Sequence, residues 1–215
     1  PRQMDGETLS RLAPLLMESG ASVMADNIGQ LRLPLQGPLY TGEGVPAWNA
    51  GSLRLLAGLG VRGAVLSREL SREEIGALPK DVLELILPVY GRAQLMQLNH
   101  CPERLYRGLS AGRAGCRLCE RGEGARGRAL QDRFGCRYPL SPVFFDRGCL
   151  IPLCHHKPLH LSILAGPGMS WIMDLRLEAP EAAVAVTRHY AALMAGDPPG
   201  DPGVPEPGRY LEGVS

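Results

Sequence analysis

The chain has 215 residues, 45% of them hydrophobic, and a formal charge of +1. That is enough apolar material to bury a core as one globular domain, and it excludes the low-hydrophobicity, high-charge composition of disordered chains. No apolar run approaches the length of a membrane span, and the first residues lack the basic segment and hydrophobic run of a secretory signal, so a cytoplasmic protein is expected.

From Glu7 to Ser19 the residues Leu9, Leu12, Leu15 and Leu16 recur at helical spacing, and Gly20 stands where a C-cap belongs. A short strand follows at Ala21–Ala25. It ends in the polar turn Asp26-Asn27-Ile28-Gly29, at the strand end where parallel α/β architectures keep their chemistry. Asn49 is suited to cap a helix over Ala50–Leu59, striped by Leu53, Leu56 and Leu59. A second strand, Gly63–Leu66, runs into Ser67-Arg68-Glu69-Leu70, and Ser71 with Glu74 forms a capping box for a short helix that stops near Pro79. Glu84–Tyr90 reads as a third strand, ending in Gly91-Arg92. The repeated order of strand, polar turn and helix predicts an α/β fold with a parallel sheet and helices packed outside it.

Between Cys101 and Arg137 this rhythm stops. Nine arginines there face four acidic residues, which sets up a local positive field, and the stretch reads either as a solvated loop or as an anion-binding one. Strand signals return weakly at Arg137–Leu140 and strongly at Trp171–Leu177. A helix is expected from Pro180 to Ala195, with Ala183, Val186 and Tyr190 at helical spacing, and residues 197–215 form a Pro/Gly-rich extended segment.

All six cysteines fall between Cys101 and Cys154, spaced C-x14-C-x2-C-x16-C-x12-C-x4-C. Only Cys116 and Cys119 have the spacing with which one turn aims two thiolates at one metal. A lone C-x2-C is also a redox motif, and disulfides or inert buried thiols are the other readings. The bunching argues for a metal or iron-sulfur site in the segment 99–157, because core cysteines scattered for packing alone would not gather this way. A 4Fe-4S cluster needs four thiolates, and zinc is the alternative occupant.

Other residue types carry two readings each. Glu69, at a strand's C-terminal end, suits a general acid or base, or is a plain surface carboxylate. Arg92 can hold a phosphate or carboxylate bidentately, or close a salt bridge. Asp132 and Arg133 are adjacent and can simply pair with scaffold groups. His100, His155 and His156 can ligate metal or shuttle protons. Trp48 and Trp171 can stack a flat substrate or fill the core. No Ser-His-Asp order, no His-Glu-x-x-His, no nucleophile elbow and no Walker or Rossmann glycine loop is present, so no recognised protease or nucleotide-loop machinery is offered.

The ordered motifs Asn27-Ile28-Gly29, Trp48-Asn49, Leu66-Ser67-Arg68-Glu69-Leu70, Val89-Tyr90-Gly91-Arg92, Leu95-Met96, Cys101-Pro102, Asp132-Arg133-Phe134-Gly135 and Tyr138-Pro139-Leu140 resemble the collagenase-like peptidase family U-thirty-two. So does the closing stretch Gly208-Arg209-Tyr210-Leu211-Glu212-Gly213-Val214. The resemblance implies that residues 1–196 are the C-terminal part of a TIM-type barrel, and that upstream sequence or a partner subunit supplies about half a barrel. It implies a 4Fe-4S cluster held by Cys101, Cys116, Cys119 and Cys149, with Cys136 and Cys154 as extras. It further implies either oxygen-independent hydroxylation of RNA bases or of a quinone precursor, or the older collagenase-like protease activity. On this view Glu69 or Asp174 handles protons, and Asn27, Asn49, Arg92 and Arg133 position the substrate. The chain departs from the family pattern at His155-His156-Lys157, where Asn-Ser is common before Pro-Leu, at Ile172 in place of an arginine, and at Glu212 in place of a basic residue. A non-catalytic chain that stores a cluster or binds a partner is the reading those departures favour.

Overall fold

The computed structural model describes residues 6–109, 116–145, 148–161 and 169–197. The chain divides into two compact units, Pro1–Val89 with His160–Met173 and Arg188–Ser215, and Tyr90–Leu159 with Asp174–Thr187.

The first unit is built on a parallel sheet. Helix α1 (Gly6–Ser19) precedes strand β1 (Val23–Ala25), which pairs in parallel with β2 (Leu39–Thr41). After helix α2 (Ala50–Gly58) comes β3 (Val61–Val65), parallel to β2, and after α3 (Arg72–Ala77) comes β4 (Glu84–Gly91), parallel to β3. The register aligns Ala25 with Thr41, Thr41 with Ala64, and Ala64 with Leu85. Two later strands, β10 (Leu159–His160) and β11 (Ser170–Met173), also pair with β4. From Leu85 to Gly91 every residue of β4 is buried, the near-continuous apolar run of a sheet covered on both faces. Leu53 and Leu56 of α2 and Ile75 of α3 supply buried side chains above it. Both caps form as the sequence predicts. Asn49 Oδ1 accepts from the Ser52 amide at 2.9 Å, and the Ser71 hydroxyl and Glu74 carboxylate cap each other's amides.

Tyr190, on helix α5 (Pro180–Ala195), is the largest fully buried side chain of this unit. Its hydroxyl donates to the Val89 carbonyl at 2.7 Å, accepts from the Leu161 amide at 3.2 Å and stands 3.1 Å from His160 Nδ1. Trp171, His160 and His189 pack their rings around it, so Trp171 serves as packing in this unit.

The second unit abandons the parallel pattern. Strand β5 (Gln94–Leu98) runs antiparallel to β9 (Gly148–Cys154), which also pairs antiparallel with β8 (Val143–Phe145). A hairpin, β6 (Ala129–Gln131) with β7 (Arg137–Pro139), and the short helix α4 (Pro102–Tyr106) complete it. Its core is small: Cys101, Ala125, Leu140 and Ile151, with Leu98, Cys149 and Leu153 packed against them.

Two expectations change in detail. The strand expected over Trp171–Leu177 stops at Met173, because the Asp174 carboxylate accepts from the Arg176 amide and the Glu178 amide closes on Leu175, which turns the chain. The stretch treated as an irregular insertion contains α4 and the β6–β7 hairpin. Among the described residues no helix is long and apolar enough to cross a membrane. The expected extended segment beyond Asp197, with the motif around Glu212, lies outside the described residues.

Candidate functional site

The four cysteines singled out from sequence sit on three segments of the second unit, and local structure relates them through a few neighbours. Cys101 is the residue that caps α4, with Pro102 at the first helical position, and it is a member of the small buried core. Cys149, on β9, packs against that same core. Cys119 lies against Gly124, next to the core residue Ala125. A Cβ on Gly124 would run into the Cys119 sulfur and stand 2.6 Å from its amide nitrogen. Cys116 is exposed. Its sulfur receives the Leu118 amide, burial opposes this only in part, and Arg104 of α4 adds a hydrogen bond and its charge, so the thiol is held below its ordinary value. That shift favours the thiolate, the form in which cysteine binds metal.

The turn between these thiols is tied back to α4. The Glu123 amide donates to the Leu118 carbonyl at 2.7 Å, while Arg107 bridges Glu103 at 2.9 Å and Glu123 at 3.1 Å. In donor chemistry the set suits a thiolate-bound cluster: four cysteines of one unit, two of them, Cys101 and Cys149, in one small core, and a third, Cys116, shifted toward its anion. Among the described residues, no three His, Cys, Asp or Glu side chains form a group that could hold a metal ion. Cys154, one of the two extras, is buried at the end of β9, and Cys136 is partly buried in the β6–β7 turn.

The remaining candidates divide between the units. In the first, Asn27 spends its side chain on the Gly29 amide at 2.8 Å, capping a one-turn 3-10 helix at Ile28–Arg32, and Asn49 caps α2. Glu69 sits exposed in the turn after β3, its amide held by the Ser67 hydroxyl at 3.2 Å, and the adjacent Arg68 pairs with Glu43 at 2.8 Å. Trp48 is 53% exposed beside Asn49.

In the second unit Arg92 pairs with Glu178 at 3.2 Å and donates to the His155 and His156 carbonyls. This places it in the salt-bridge role weighed for it from sequence. Asp174 accepts from the Arg176 guanidinium and packs against Gly91, where a Cβ would come within 2.7 Å of Asp174 Cβ and where φ is +130°. Arg133 lies over the Phe134 ring, 4.7 Å from its centroid.

Asp132 organises the hairpin turn. Its carboxylate accepts from the Phe134 amide at 2.8 Å, the Cys136 amide at 2.9 Å and the Tyr138 hydroxyl at 3.2 Å. Partial burial pulls the carboxyl upward, but these hydrogen bonds and the charge on His156 outweigh it and hold the group below its ordinary value. The Tyr138 ring meets His156 edge-on at 5.3 Å between centroids, and His156 stacks at a tilt on His155 at 4.3 Å. The parts played by Arg104, Gly124, Tyr138 and Tyr190 were not legible in the sequence, because each acts across space on a partner that no local spacing marks.

No protein-family model, curated protein or solved structure matches this chain.

Proposed function

We propose that the chain is part of a TIM-type barrel of the U-thirty-two kind, with upstream sequence or a partner supplying the remaining strands. On this proposal its cysteine-rich segment holds a 4Fe-4S cluster through Cys101, Cys116, Cys119 and Cys149. The activity proposed is oxygen-independent hydroxylation of a planar substrate, either an RNA base or an aromatic quinone precursor. The observations that carry this reading are that two of those thiols, Cys101 and Cys149, share one small core, that Cys119 lies against Gly124 beside the core residue Ala125, and that Cys116 is shifted toward its thiolate. When bound, such a cluster would relay single electrons; because hydroxylation removes two electrons from the substrate, the oxygen atom and the final electron acceptor would come from co-substrates. The chain's own residues would do the rest: within the second unit, Asp174 takes or gives the proton and arginines position the substrate. The lack of any hydrolytic constellation in the sequence favours this over peptide hydrolysis.

Deleting the gene and comparing RNA nucleosides and quinones by mass spectrometry tests the reading. A missing hydroxylated species names the substrate. Unchanged profiles, together with Glu69-dependent cleavage of gelatin by anaerobically purified protein, would replace it with the peptidase reading.

A further inference from the structure

The two units carry opposite charge. Thirteen of the 23 Lys and Arg residues and eight of the 22 Asp and Glu residues fall in the second unit, which gives it +5. The first unit holds ten basic and fourteen acidic residues, which gives it −4. A chain whose overall charge is close to neutral thus concentrates its positive field in one unit, the pattern expected where a polyanion is to be held.

Within that unit the β6–β7 hairpin combines the two features that single-stranded nucleic acid requires, cationic side chains for phosphates and an exposed aromatic face for a base. Arg126, Arg128, Arg133 and Arg137 are all exposed along it. At its tip Phe134 is 75% exposed, an unusual place for a phenylalanine, and the Arg133 guanidinium lies over its ring, 4.7 Å from the centroid, which sets a positive charge beside the aromatic face. The tip is also fixed before any ligand arrives. The Asp132 carboxylate holds the Phe134 and Cys136 amides, the Asp132 and Cys136 backbones bond at 3.1 Å, and Gly135 takes the left-handed φ of +84° that lets the turn close. A preformed aromatic tip avoids much of the ordering cost of binding.

We propose that the β6–β7 hairpin is a contact surface for single-stranded RNA, one base stacking on Phe134 and neighbouring phosphates meeting Arg128, Arg133 and Arg137. The proposal rests on the RNA branch of the function proposed above for its ligand class, and on the hairpin alone for its location. An anionic membrane could use the same arginines, but a rigid turn presenting a single aromatic ring is suited to stacking on a base, and the hairpin offers no amphipathic helix to lie in a lipid surface.

The test is fluorescence anisotropy of a short labelled single-stranded oligoribonucleotide with the full chain, at stepped salt, run on both iron-loaded and iron-free protein. Saturable binding that weakens with salt is expected in both forms, so a failure of the cluster reading leaves this result standing. Phe134→Ala should weaken binding about tenfold while leaving the salt dependence unchanged. Arg128→Ala and Arg137→Ala should each lower the slope of log affinity against log salt by about one. Circular dichroism of each variant should overlay the parent, since all three side chains are exposed. Absence of saturable binding at low salt overturns the proposal. So does binding that is indifferent to all three substitutions, or a preference for phosphatidylserine vesicles over the oligonucleotide.

Discussion

Tyr190 shows how much a single polar atom can carry in the first unit. Its side chain is 1% exposed, and its one hydroxyl serves the Val89 carbonyl, the Leu161 amide and His160. Tyr190→Phe keeps the ring packing and removes these three contacts, while the Leu161 amide still donates to the Val89 carbonyl at 2.8 Å, so a loss of about 1 kcal/mol in urea unfolding is expected. His160 adds a pH dependence of known sign. Burial first, and the charge on His189 second, push its pKa below the model-peptide value of 6.5, so the folded state favours the neutral ring. This contribution is intact above about 6.5 and fades as the pH falls from there through the lowered folded value. The urea midpoint should drop across that acid window, and His160→Gln should flatten the drop. A midpoint independent of pH between 7 and the acid side, at about constant slope, would contradict it.

At the scale of elements, the helix caps were readable because capping is a local contract between residues three apart. Asn49 as a cap, and Ser71 with Glu74 as a box, were placed correctly from sequence, and Ser52 proves to be the partner that completes the Asn49 box. Asn49→Ala should cost about 1 kcal/mol and Asn49→Asp much less, whatever the assay substrate. A large loss of activity in Asn49→Asp at unchanged stability would give Asn49 a substrate role beyond its cap. The short strand β2 and the antiparallel strands β5, β8 and β9 were not foreseen. Three residues such as Leu39–Thr41 carry no period, and the pairing of β5 with β9 joins stretches more than fifty residues apart, which no window along the sequence can see. Glycines show the same limit. Gly124 looks like one more member of an Arg/Gly-rich stretch, yet its missing side chain is what leaves room for the Cys119 sulfur and amide against it. Gly124→Ala should therefore lower iron content without removing any thiol, and iron analysis beside that of the parent protein checks it. Gly91→Ala, at φ +130° and against Asp174, should destabilise the second unit by at least about 1 kcal/mol.

For the molecule as a whole, sequence and structure agree on a mixed α/β chain with a parallel sheet, in which β1 to β4 pair in parallel in turn. The bunching of cysteines is plain in the sequence, but the small core that takes in Cys101 and Cys149 is not. That core is four residues from four separate places in the chain, Cys101, Ala125, Leu140 and Ile151. The opposite charges of the two units were likewise hidden in a net charge of +1, because the boundary between them is set by folding rather than by composition. The central claim is that the second unit is a thiolate-held cluster domain. Iron and acid-labile sulfide analysis of protein purified without oxygen, with each cysteine replaced in turn by alanine, tests it most directly. The expected result is brown protein with about four iron and four sulfide per chain, bleached by Cys101→Ala, Cys116→Ala, Cys119→Ala or Cys149→Ala and retained in Cys136→Ala and Cys154→Ala. Stoichiometric zinc with no iron, or iron content unchanged in Cys116→Ala and Cys119→Ala, would contradict it.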